Sequence, residues 1–283
     1  MPYLTVGEEN SGAVDLYYED HGAGKPVVLI HGWPLSGRAW EKQVPALVEA
    51  GYRVITYDRR GFGASSKPWH GYDYDTLTRD LERLMTKLDL RDATLVGYSM
   101  GGGEVARYPA AYGTSRVSRL AFLGSITPAL LKSETNPEAV DLSLFDSLRA
   151  GIKLDRPAFL TQFLSSFYNL DVLLGKKISE EVVRLSWNIA AQASPKAMYD
   201  LVGAWGTDFR NDLKRSELPA LIVHGDSDRI VPFDISGKRT HEMLKGSKLV
   251  LIKGAPHGFN WTHAEELNAA LLEFLKAPAG AAV

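Results

Sequence analysis

The feature that most restricts the fold is a regular alternation of short apolar segments with longer segments of helical periodicity. Two of the short segments, Val27–Ile30 and Leu249–Ile252, are apolar at every position. A strand of this composition is buried on both faces, as in a parallel sheet that helices cover on each side. The alternation therefore predicts an α/β fold with a doubly wound, mostly parallel sheet, whose ligands bind beyond the carboxyl ends of the strands.

The predicted elements divide the chain into a core and an insertion. Segments rich in β-branched residues predict strands at Val14–Glu19, Pro26–Ile30, Arg53–Tyr57, Ala93–Tyr98, Val117–Leu123, Ala220–His224 and Lys248–Ile252. Apolar residues at three- and four-residue steps predict core helices at Ala39–Ala50, Tyr74–Leu88, Met100–Tyr112, Ile235–Leu244 and His263–Leu275. From about Thr127 to Glu217 only helical patterns occur, at Leu144–Ile152, Pro157–Phe167, Glu180–Gln192 and Lys196–Trp205. We interpret 1–126 and 218–276 as an α/β core, 127–217 as an inserted helical cap, and 277–283 as a flexible tail.

Composition and charge exclude several classes of protein. The chain has 32 basic and 34 acidic residues, a net charge of −2, so the basic surface of a nucleic-acid-binding protein is missing. It has no cysteine, which removes thiolate nucleophiles and zinc–thiolate sites. The N-terminal residues do not form a signal peptide, and no segment approaches the ~18 apolar residues of a membrane helix. We therefore expect a soluble, cytoplasmic protein with neither nucleic acid nor membrane as a partner.

The candidate nucleophile is Ser99, in the sequence Gly97-Tyr98-Ser99-Met100-Gly101. A Gly-x-Ser-x-Gly sequence that ends a strand and begins a helix is typical of a nucleophile elbow, in which small neighbours permit a strained turn that exposes the serine hydroxyl. The pentapeptide alone occurs often by chance, but here a predicted strand precedes it and a predicted helix follows. This context favours a nucleophile over an ordinary serine in a glycine-rich turn.

A serine nucleophile needs a general base, and His257 is the preferred candidate among seven histidines. It lies in the loop between the last strand and the last helix, where it can reach the edge of the sheet beside Ser99. His224 lies inside an apolar strand and is interpreted as structural, and His31 as shaping the loop at Gly32. The remaining histidines are expected in solvent: His21, His70, His241 and His263.

The acid that orients the base is expected in the loop after the penultimate strand, which gives the chain order Ser, Asp, His. The loop offers Asp226 and Asp228. We prefer Asp228, because its spacing from Gly225 carries the carboxylate past the turn towards the site. Asp226 is expected to cap the turn through local backbone bonds.

Two backbone N–H groups are predicted to form an oxyanion hole. One is that of Met100, directly after the nucleophile, and the other is that of Trp33, in the loop after the strand Pro26–Ile30. Gly32 permits the turn in this loop, and Pro34 restricts it through its fixed φ. The alternative is a strand-terminal turn without a catalytic donor.

No metal or other cofactor is predicted. His257, His263, Glu265 and Glu266 are close in the sequence, but their spacing matches no recognised zinc pattern. A set of apolar residues is predicted either to line a substrate pocket or to form plain core, because the two have the same composition. These residues are Ile126, Phe163, Phe167, Trp205, Ile230 and Val231.

Six motifs together resemble a known family. They are His31–Pro34, Asp58–Ser65, Gly97–Gly103, Gly206–Arg210, His224–Pro232 and Gly254–Gly258. The chain is similar, over about Tyr3 to Leu275, to the α/β-hydrolase branch of bacterial cofactor-free haloperoxidases, perhydrolases and aryl esterases. Ser186–Asn188 and Ala204–Trp205 also resemble γ-lactamases of the same branch.

The resemblance implies a triad of Ser99, Asp228 and His257, an oxyanion hole from Trp33 and Met100, and a pocket lined by cap aromatics. It implies an acyl-enzyme that water converts to an acid or hydrogen peroxide to a peracid, without haem or vanadium. Pro34 after Trp33 is similar to the perhydrolase members.

Two other functions stay open at this point. The same triad is compatible with a γ-lactamase or other amidase, which would hydrolyse a lactam at rates comparable with an ester. A protein of this fold can also bind a ligand without catalysis, because function depends on the site rather than on the fold. The expected partner is a small ester or lactam, with or without hydrogen peroxide, and a homo-oligomer is compatible with the sequence.

One residue departs from the pattern of the resembling family. Pro109 lies inside the helix that follows Ser99, where relatives usually carry an aliphatic residue. An interior proline removes a backbone hydrogen bond, so the helix is expected to kink or shorten near Tyr108. Ser99 lies more than two turns upstream and is expected to keep its position.

Overall fold

The computed structural model describes residues 2–277, and its strands form one eight-stranded sheet in the order β1-β2-β4-β3-β5-β6-β7-β8. The strands are β1 (Tyr3–Glu9), β2 (Gly12–His21), β3 (Pro26–Ile30), β4 (Arg53–Tyr57), β5 (Ala93–Tyr98), β6 (Val117–Leu123), β7 (Ala220–Gly225) and β8 (Lys248–Ile252). The pairs β1–β2 and β2–β4 are antiparallel, and the other neighbouring pairs are parallel. The predicted mostly parallel sheet is confirmed.

Strand β1 is absent from the sequence-based prediction. Only Leu4 and Val6 of this strand are buried, so its apolar alternation is short. It pairs with β2 through a tight turn at Asn10 and Ser11, whose φ angles of 50° and 64° are both positive. Such a turn matches the right-handed twist of a two-stranded hairpin, and here it adds an antiparallel edge to the sheet.

Helices pack around the sheet and leave its central strands buried along their whole length, as in β5 and β7. The helices are α1 (Gln43–Glu49), α2 (Tyr74–Lys87), α3 (Gly101–Tyr112), α4 (Leu142–Phe167), α5 (Leu170–Leu173), α6 (Glu180–Ala191), α7 (Pro195–Ala204), α8 (Arg210–Leu213), α9 (Gly237–Met243), α10 (Phe259–Thr262) and α11 (Ala264–Lys276). The predicted alternation of strands and helices is thus present in three dimensions.

Within residues 2–277, no helix combines the length and apolar composition that crossing a membrane requires.

Helices α4 to α8 all lie between β6 and β7, in the segment 127–217 that we call the cap. The two helices predicted at its start are the two halves of α4, which is interrupted at Asp155 by a non-helical conformation (φ −155°, ψ 88°). The interruption precedes Pro157, which cannot donate a backbone hydrogen bond to the preceding turn. The Asp155 carboxylate accepts from the N–H of Ala158 at 2.9 Å and so caps the second half of the element.

Helix α3 continues through Pro109 to Tyr112, so the expected shortening near Tyr108 is wrong. Proline removes the single bond that its own N–H would make, and Pro109 lies in the last turn, where that loss disturbs few neighbours. Tyr108 is buried, and its hydroxyl donates to Glu82 of α2, which holds this turn in place. The N–H of Gly113 donates to the Pro109 carbonyl at 3.0 Å and closes the helix.

The parallel strands bring the predicted site loops to one edge of the sheet. The loop His31–Pro34 follows β3, Ser99 follows β5, Asp228 follows β7 and His257 follows β8. The carboxyl ends of parallel strands meet at the same edge, which is where ligands bind in this class of fold. Of the predicted tail 277–283, residues 278–283 lie outside the described residues.

Candidate active site

Ser99 lies on a sharp turn between β5 and α3 and has a φ of 56°, in the left-handed region that non-glycine residues rarely adopt. The glycines around it permit the close packing that this turn requires. A Cβ at Gly97 would lie 2.5 Å from the Gly101 carbonyl oxygen, and one at Gly101 would lie 2.5 Å from that of Ile30. Both positions therefore exclude any larger residue, and the elbow fixes the serine hydroxyl above the edge of the sheet.

His257 lies within hydrogen-bonding distance of Ser99, with its Nε2 2.9 Å from the serine Oγ. The imidazole is fully buried between two aromatic rings. Tyr98 stacks on it with the ring centroids 5.3 Å apart, and Phe167 of the cap meets it edge-on at 5.1 Å. The Tyr98 hydroxyl also donates to the His257 carbonyl at 2.5 Å. These contacts hold the ring in one orientation and keep solvent away from it.

Asp228 lies on the other side of the same imidazole, its Oδ2 2.6 Å from His257 Nδ1. Its second oxygen, Oδ1, accepts from the N–H groups of Ile230 and Val231, each at 2.8 Å. Burial alone would raise the pKa of Asp228, but the imidazole of His257 and then that of His224 hold this pKa below its ordinary value. The carboxylate is therefore ionised and accepts a hydrogen bond from Nδ1–H, which leaves Nε2 free to accept a hydrogen bond from the Ser99 hydroxyl.

The alternative acid, Asp226, does not reach the histidine. It is exposed, and its Oδ1 accepts from the N–H of Gly254 at 2.7 Å and from the hydroxyl of Ser227 at 2.9 Å. The backbone N–H that Asp226 binds belongs to Gly254, in the loop that carries His257, and not to its own turn. The predicted capping of the turn through local backbone bonds is therefore wrong. Asp226 thus joins the two loops that supply the acid and the base.

The candidate oxyanion loop lies directly against the nucleophile. A Cβ at Gly32 would lie 2.9 Å from the Cβ of Ser99, so glycine is required for this approach. The N–H groups of Trp33 and Met100 are buried, and within residues 2–277 neither donates to a protein acceptor. Two buried, unpaired backbone donors beside a nucleophile are the arrangement that binds a developing oxyanion.

Sequence reasoning did not identify the buried ion pair that lies behind this loop. Arg59 donates through Nε to Glu104 of α3 at 3.0 Å, and through Nη2 to the carbonyl of His31 at 2.8 Å. The backbone N–H of Arg59 donates to His31 Nε2 at 3.0 Å, so the His31 proton is on Nδ1, which donates to the Gly32 carbonyl. The pair joins the oxyanion loop to the helix after the nucleophile. The only sequence signal is that Arg59 belongs to the motif Asp58–Ser65 and that Glu104 directly follows the motif Gly97–Gly103.

The other histidines are distributed largely as expected. His31 has the predicted loop-shaping contact, and burial together with Arg59 lowers its pKa well below the ordinary value. His263 was expected in solvent and is instead buried, with its Nδ1 2.9 Å from the hydroxyl of Thr262. Its pKa is lowered, mainly by burial. In the described part of the chain, no group of three or more His, Asp or Glu side chains is placed to hold a metal ion.

A cavity of about 310 Å³ lies under the cap and is lined largely by apolar side chains. Three of the predicted pocket residues line it, namely Phe163, Trp205 and Ile230. The indole of Trp33 contacts the rings of Phe163 and Trp205, with centroid distances of 4.9 Å and 5.1 Å. Two residues that line the cavity therefore pack against the side chain of Trp33 in the candidate oxyanion loop.

The other three predicted pocket residues do not line this cavity but lie against the candidate triad. The N–H of Ile126 donates to the Ser99 carbonyl at 3.3 Å, and the N–H of Val231 to Asp228. The ring of Phe167 packs on His257. Composition alone does not distinguish these positions from pocket positions, because all are apolar.

Comparisons with known proteins agree with the fold. A family model described as the alpha/beta hydrolase fold matches residues 25–264. The crystal structure of a bromoperoxidase from Bacillus anthracis is 55% identical, covers 97% of this chain and 99% of its own, and superposes with a TM-score of 0.94. The non-heme chloroperoxidase CPO-A1 of Kitasatospora aureofaciens is 42% identical over 97% of this chain and 99% of the relative. The bifunctional esterase/perhydrolase DCH of Acinetobacter calcoaceticus is 38% identical over 98% and 100%.

The sheet and the elbow define a class of protein in which a serine on a strand-to-helix turn lies at the edge of a parallel sheet, and here that serine contacts a histidine that contacts an aspartate. The chain belongs to the α/β-hydrolase family. Its similarity to the non-heme haloperoxidases and to an esterase/perhydrolase confirms the resemblance that the motifs indicate.

Proposed function

We propose that the chain hydrolyses small carboxylic esters through an acyl-enzyme on Ser99 and also transfers the acyl group to hydrogen peroxide. The observation that carries this proposal is the buried relay of Ser99, His257 and Asp228, with contacts of 2.9 Å and 2.6 Å. A serine hydroxyl is a weak nucleophile by itself, and such a relay is the arrangement that activates it.

In the first half-reaction, Ser99 Oγ bonds to the carbonyl carbon of the ester while His257 Nε2 takes the hydroxyl proton. The charge that develops on the carbonyl oxygen is received by the N–H groups of Trp33 and Met100. Asp228 stabilises the imidazolium without taking its proton. The tetrahedral intermediate then expels the alcohol, which leaves with the proton from His257, and the acyl group stays on Ser99.

In the second half-reaction, His257 acts as general base for the acceptor that attacks the acyl-enzyme. Water releases a carboxylic acid, and hydrogen peroxide releases a peracid. The peracid oxidises halide to hypohalous acid away from the protein and becomes the carboxylic acid again. Haloperoxidase activity of this kind uses only the triad, the oxyanion donors, an ester and peroxide, so we propose no cofactor for it.

The cavity under the cap is the proposed acyl pocket. Its lining is largely apolar, and its one charged side chain, that of Arg229, is paired with Asp171 at the surface. Phe163, Trp205 and Ile230 are the proposed substrate-contacting residues, because all three line this cavity. The rings of Phe163 and Trp205 also contact the indole of Trp33, whose backbone N–H is a candidate oxyanion donor. A volume of about 310 Å³ suits a small uncharged acyl group.

The names of the similar proteins support this function. They include a bromoperoxidase, a non-heme chloroperoxidase and a bifunctional esterase/perhydrolase. Pro34 after the candidate oxyanion tryptophan, a feature similar to the perhydrolase branch, favours peroxide as an acceptor beside water.

The test is a panel of phenyl and p-nitrophenyl esters of increasing acyl length, with and without hydrogen peroxide, together with bromide and a halogen-accepting dye. We expect ester hydrolysis without peroxide, and peracid and dye bromination when peroxide is added. Ser99→Ala is expected to abolish both. Hydrolysis of a bicyclic lactam at rates comparable with phenyl acetate would identify an amidase instead, and a wild type inactive on all these substrates would refute the proposal.

A further inference from the structure

A second buried histidine, His224, contacts the Asp228 carboxylate that orients His257. His224, in β7, is fully buried, and its Nε2 lies 3.4 Å from Asp228 Oδ2 and 2.8 Å from the Val231 carbonyl oxygen. Oδ2 is also the oxygen that faces His257 Nδ1. Two imidazoles therefore converge on one carboxylate oxygen, and only one of them reaches Ser99.

The surroundings of His224 define its tautomer. Both neighbours of its Nε2 are oxygen acceptors, a carbonyl and an ionised carboxylate, so Nε2 carries the proton. Its Nδ1 is then a bare acceptor and has no hydrogen-bond partner among residues 2–277. The ring is packed against Phe233, with centroids 5.6 Å apart, and a Cβ at Gly237 would lie 2.5 Å from Nδ1. A buried acceptor without a partner is unfavourable, so the contacts that favour a histidine here are those of Nε2–H.

His224 also ties down the loop that wraps the carboxylate. The N–H groups of Ile230 and Val231 donate to Asp228 Oδ1, and the carbonyl of the same Val231 accepts from His224. Asp228 is thus held by backbone donors on one oxygen and by two imidazoles on the other. The loop cannot move away from β7 without breaking the contact with His224.

We propose that His224 is a positioning residue for Asp228, whose Nε2–H holds both the carboxylate and its loop so that Oδ2 stays on His257 Nδ1. This inference rests on the proposed function, because the carboxylate matters only where His257 acts as a base. His224 touches neither Ser99 nor the cavity and acts through Asp228. The pKa of Asp228 is lowered despite burial, partly by the His224 hydrogen bond, which agrees with this role.

The kinetic test compares two substitutions of the same residue. His224→Gln keeps an N–H donor at a similar reach, whereas His224→Leu fills the space without a donor. We expect His224→Leu to lower kcat about 10–100-fold, the usual effect of removing a group that orients an active-site histidine partner, with KM unchanged. His224→Gln should recover most of kcat. The matched control is His241→Leu. It removes a histidine of α9 whose Nδ1 contacts the hydroxyl of Ser247, and it should retain full activity.

A spectroscopic measurement on the wild type keeps the proposal testable if His224→Leu does not fold. Nitrogen-15 histidine labelling with long-range proton–nitrogen correlation reports which ring nitrogen carries the proton. We expect His224 to be protonated on Nε2, and the downfield Nδ1–H proton of His257 to shift in His224→Gln. A proton on His224 Nδ1, or a kcat of His224→Leu equal to that of the wild type, would overturn the proposal.

The two measurements separate this inference from the proposed function. A wild type that hydrolyses esters while His224→Leu retains full kcat would overturn the positioning role and leave the ester function in place. A wild type without ester hydrolysis whose spectra show the Nε2 proton and the coupled shift at His257 would refute the function and support the contact between His224 and Asp228.

Discussion

The edge of the sheet and the cavity under the cap differ in how their side chains are fixed. At the edge of the sheet, both oxygens of Asp228 and both nitrogens of His257 have hydrogen-bond partners at defined distances. The cavity is bounded mainly by contacts between apolar side chains, among them those of Phe163 and Trp205. Hydrogen bonds impose direction and apolar packing does not. We therefore expect the residues at the edge of the sheet to determine the reaction and the cap residues to determine substrate selectivity.

The largest effect is expected where the geometry is most defined. Asp228→Asn keeps the shape of the side chain but offers His257 an amide, which no longer selects the Nδ1–H tautomer. We expect kcat to fall about 10⁴-fold, with little change in KM, in steady-state kinetics on a phenyl ester. Asp226→Asn, two residues away and exposed, is the matched control. Equal losses in the two variants would show that the acid is misassigned.

A smaller effect is expected from moving the oxyanion loop. Gly32→Ala places a Cβ 2.9 Å from that of Ser99 and displaces the loop that carries the N–H of Trp33. We expect kcat to fall about 10²–10³-fold, the usual effect of losing one oxyanion donor. The control is Gly7→Ala on β1, whose Cβ would have its nearest neighbours at 4.0 Å. An unaltered kcat in Gly32→Ala would remove Trp33 from the proposed oxyanion hole.

Substitutions in the cap are expected to change the selectivity between substrates rather than kcat. Phe163→Ala enlarges the cavity, so the ratio of kcat/KM for a hexanoate ester to that for an acetate ester is expected to rise about tenfold. The acetate kcat should change little, because the triad contacts do not involve this ring. Leu154→Ala, on the same helix at a side chain that is 89% exposed, serves as the control. A constant ratio in Phe163→Ala would mean that the acyl group binds elsewhere.

The smallest effect concerns stability against acid. The pKa of Asp228 lies below its ordinary value in the folded chain, so the unfolded chain binds this proton more tightly. The stabilisation is fully present above about pH 4 and is lost as the pH falls towards the folded pKa. The difference in unfolding free energy between wild type and Asp228→Asn, measured in urea from pH 7 to pH 3, should therefore shrink below about pH 4. A constant difference for Asp228→Asn would contradict the lowered pKa.

Features that depend on local sequence were the predictable ones. Alternation of apolar strands with helical segments predicted the parallel sheet, and the position of a residue after a strand brought Ser99, Asp228 and His257 to one edge. The strand β1 was missed because only Leu4 and Val6 mark its buried face. The effect of Pro109 was overestimated, because packing of the last turn of α3 offsets one lost hydrogen bond.

Features that depend on particular side-chain rotamers and loop paths could not be predicted. The pairing of Arg59 with Glu104 joins two elements that are far apart in the sequence. The approach of His224 to Asp228, four residues further on, depends on the path of the loop after β7. The residue boundaries of the cap, the oligomeric state and a cytoplasmic location stay predictions.

The most direct test of the central claim is covalent labelling of Ser99 by a fluorophosphonate, read by intact mass and peptide mapping. We expect a single adduct on Ser99 in the wild type, its loss in Ser99→Ala, and strongly slowed labelling in His257→Gln, because the imidazole activates the hydroxyl. An unlabelled wild type, or labelling at an equal rate in His257→Gln, would contradict it.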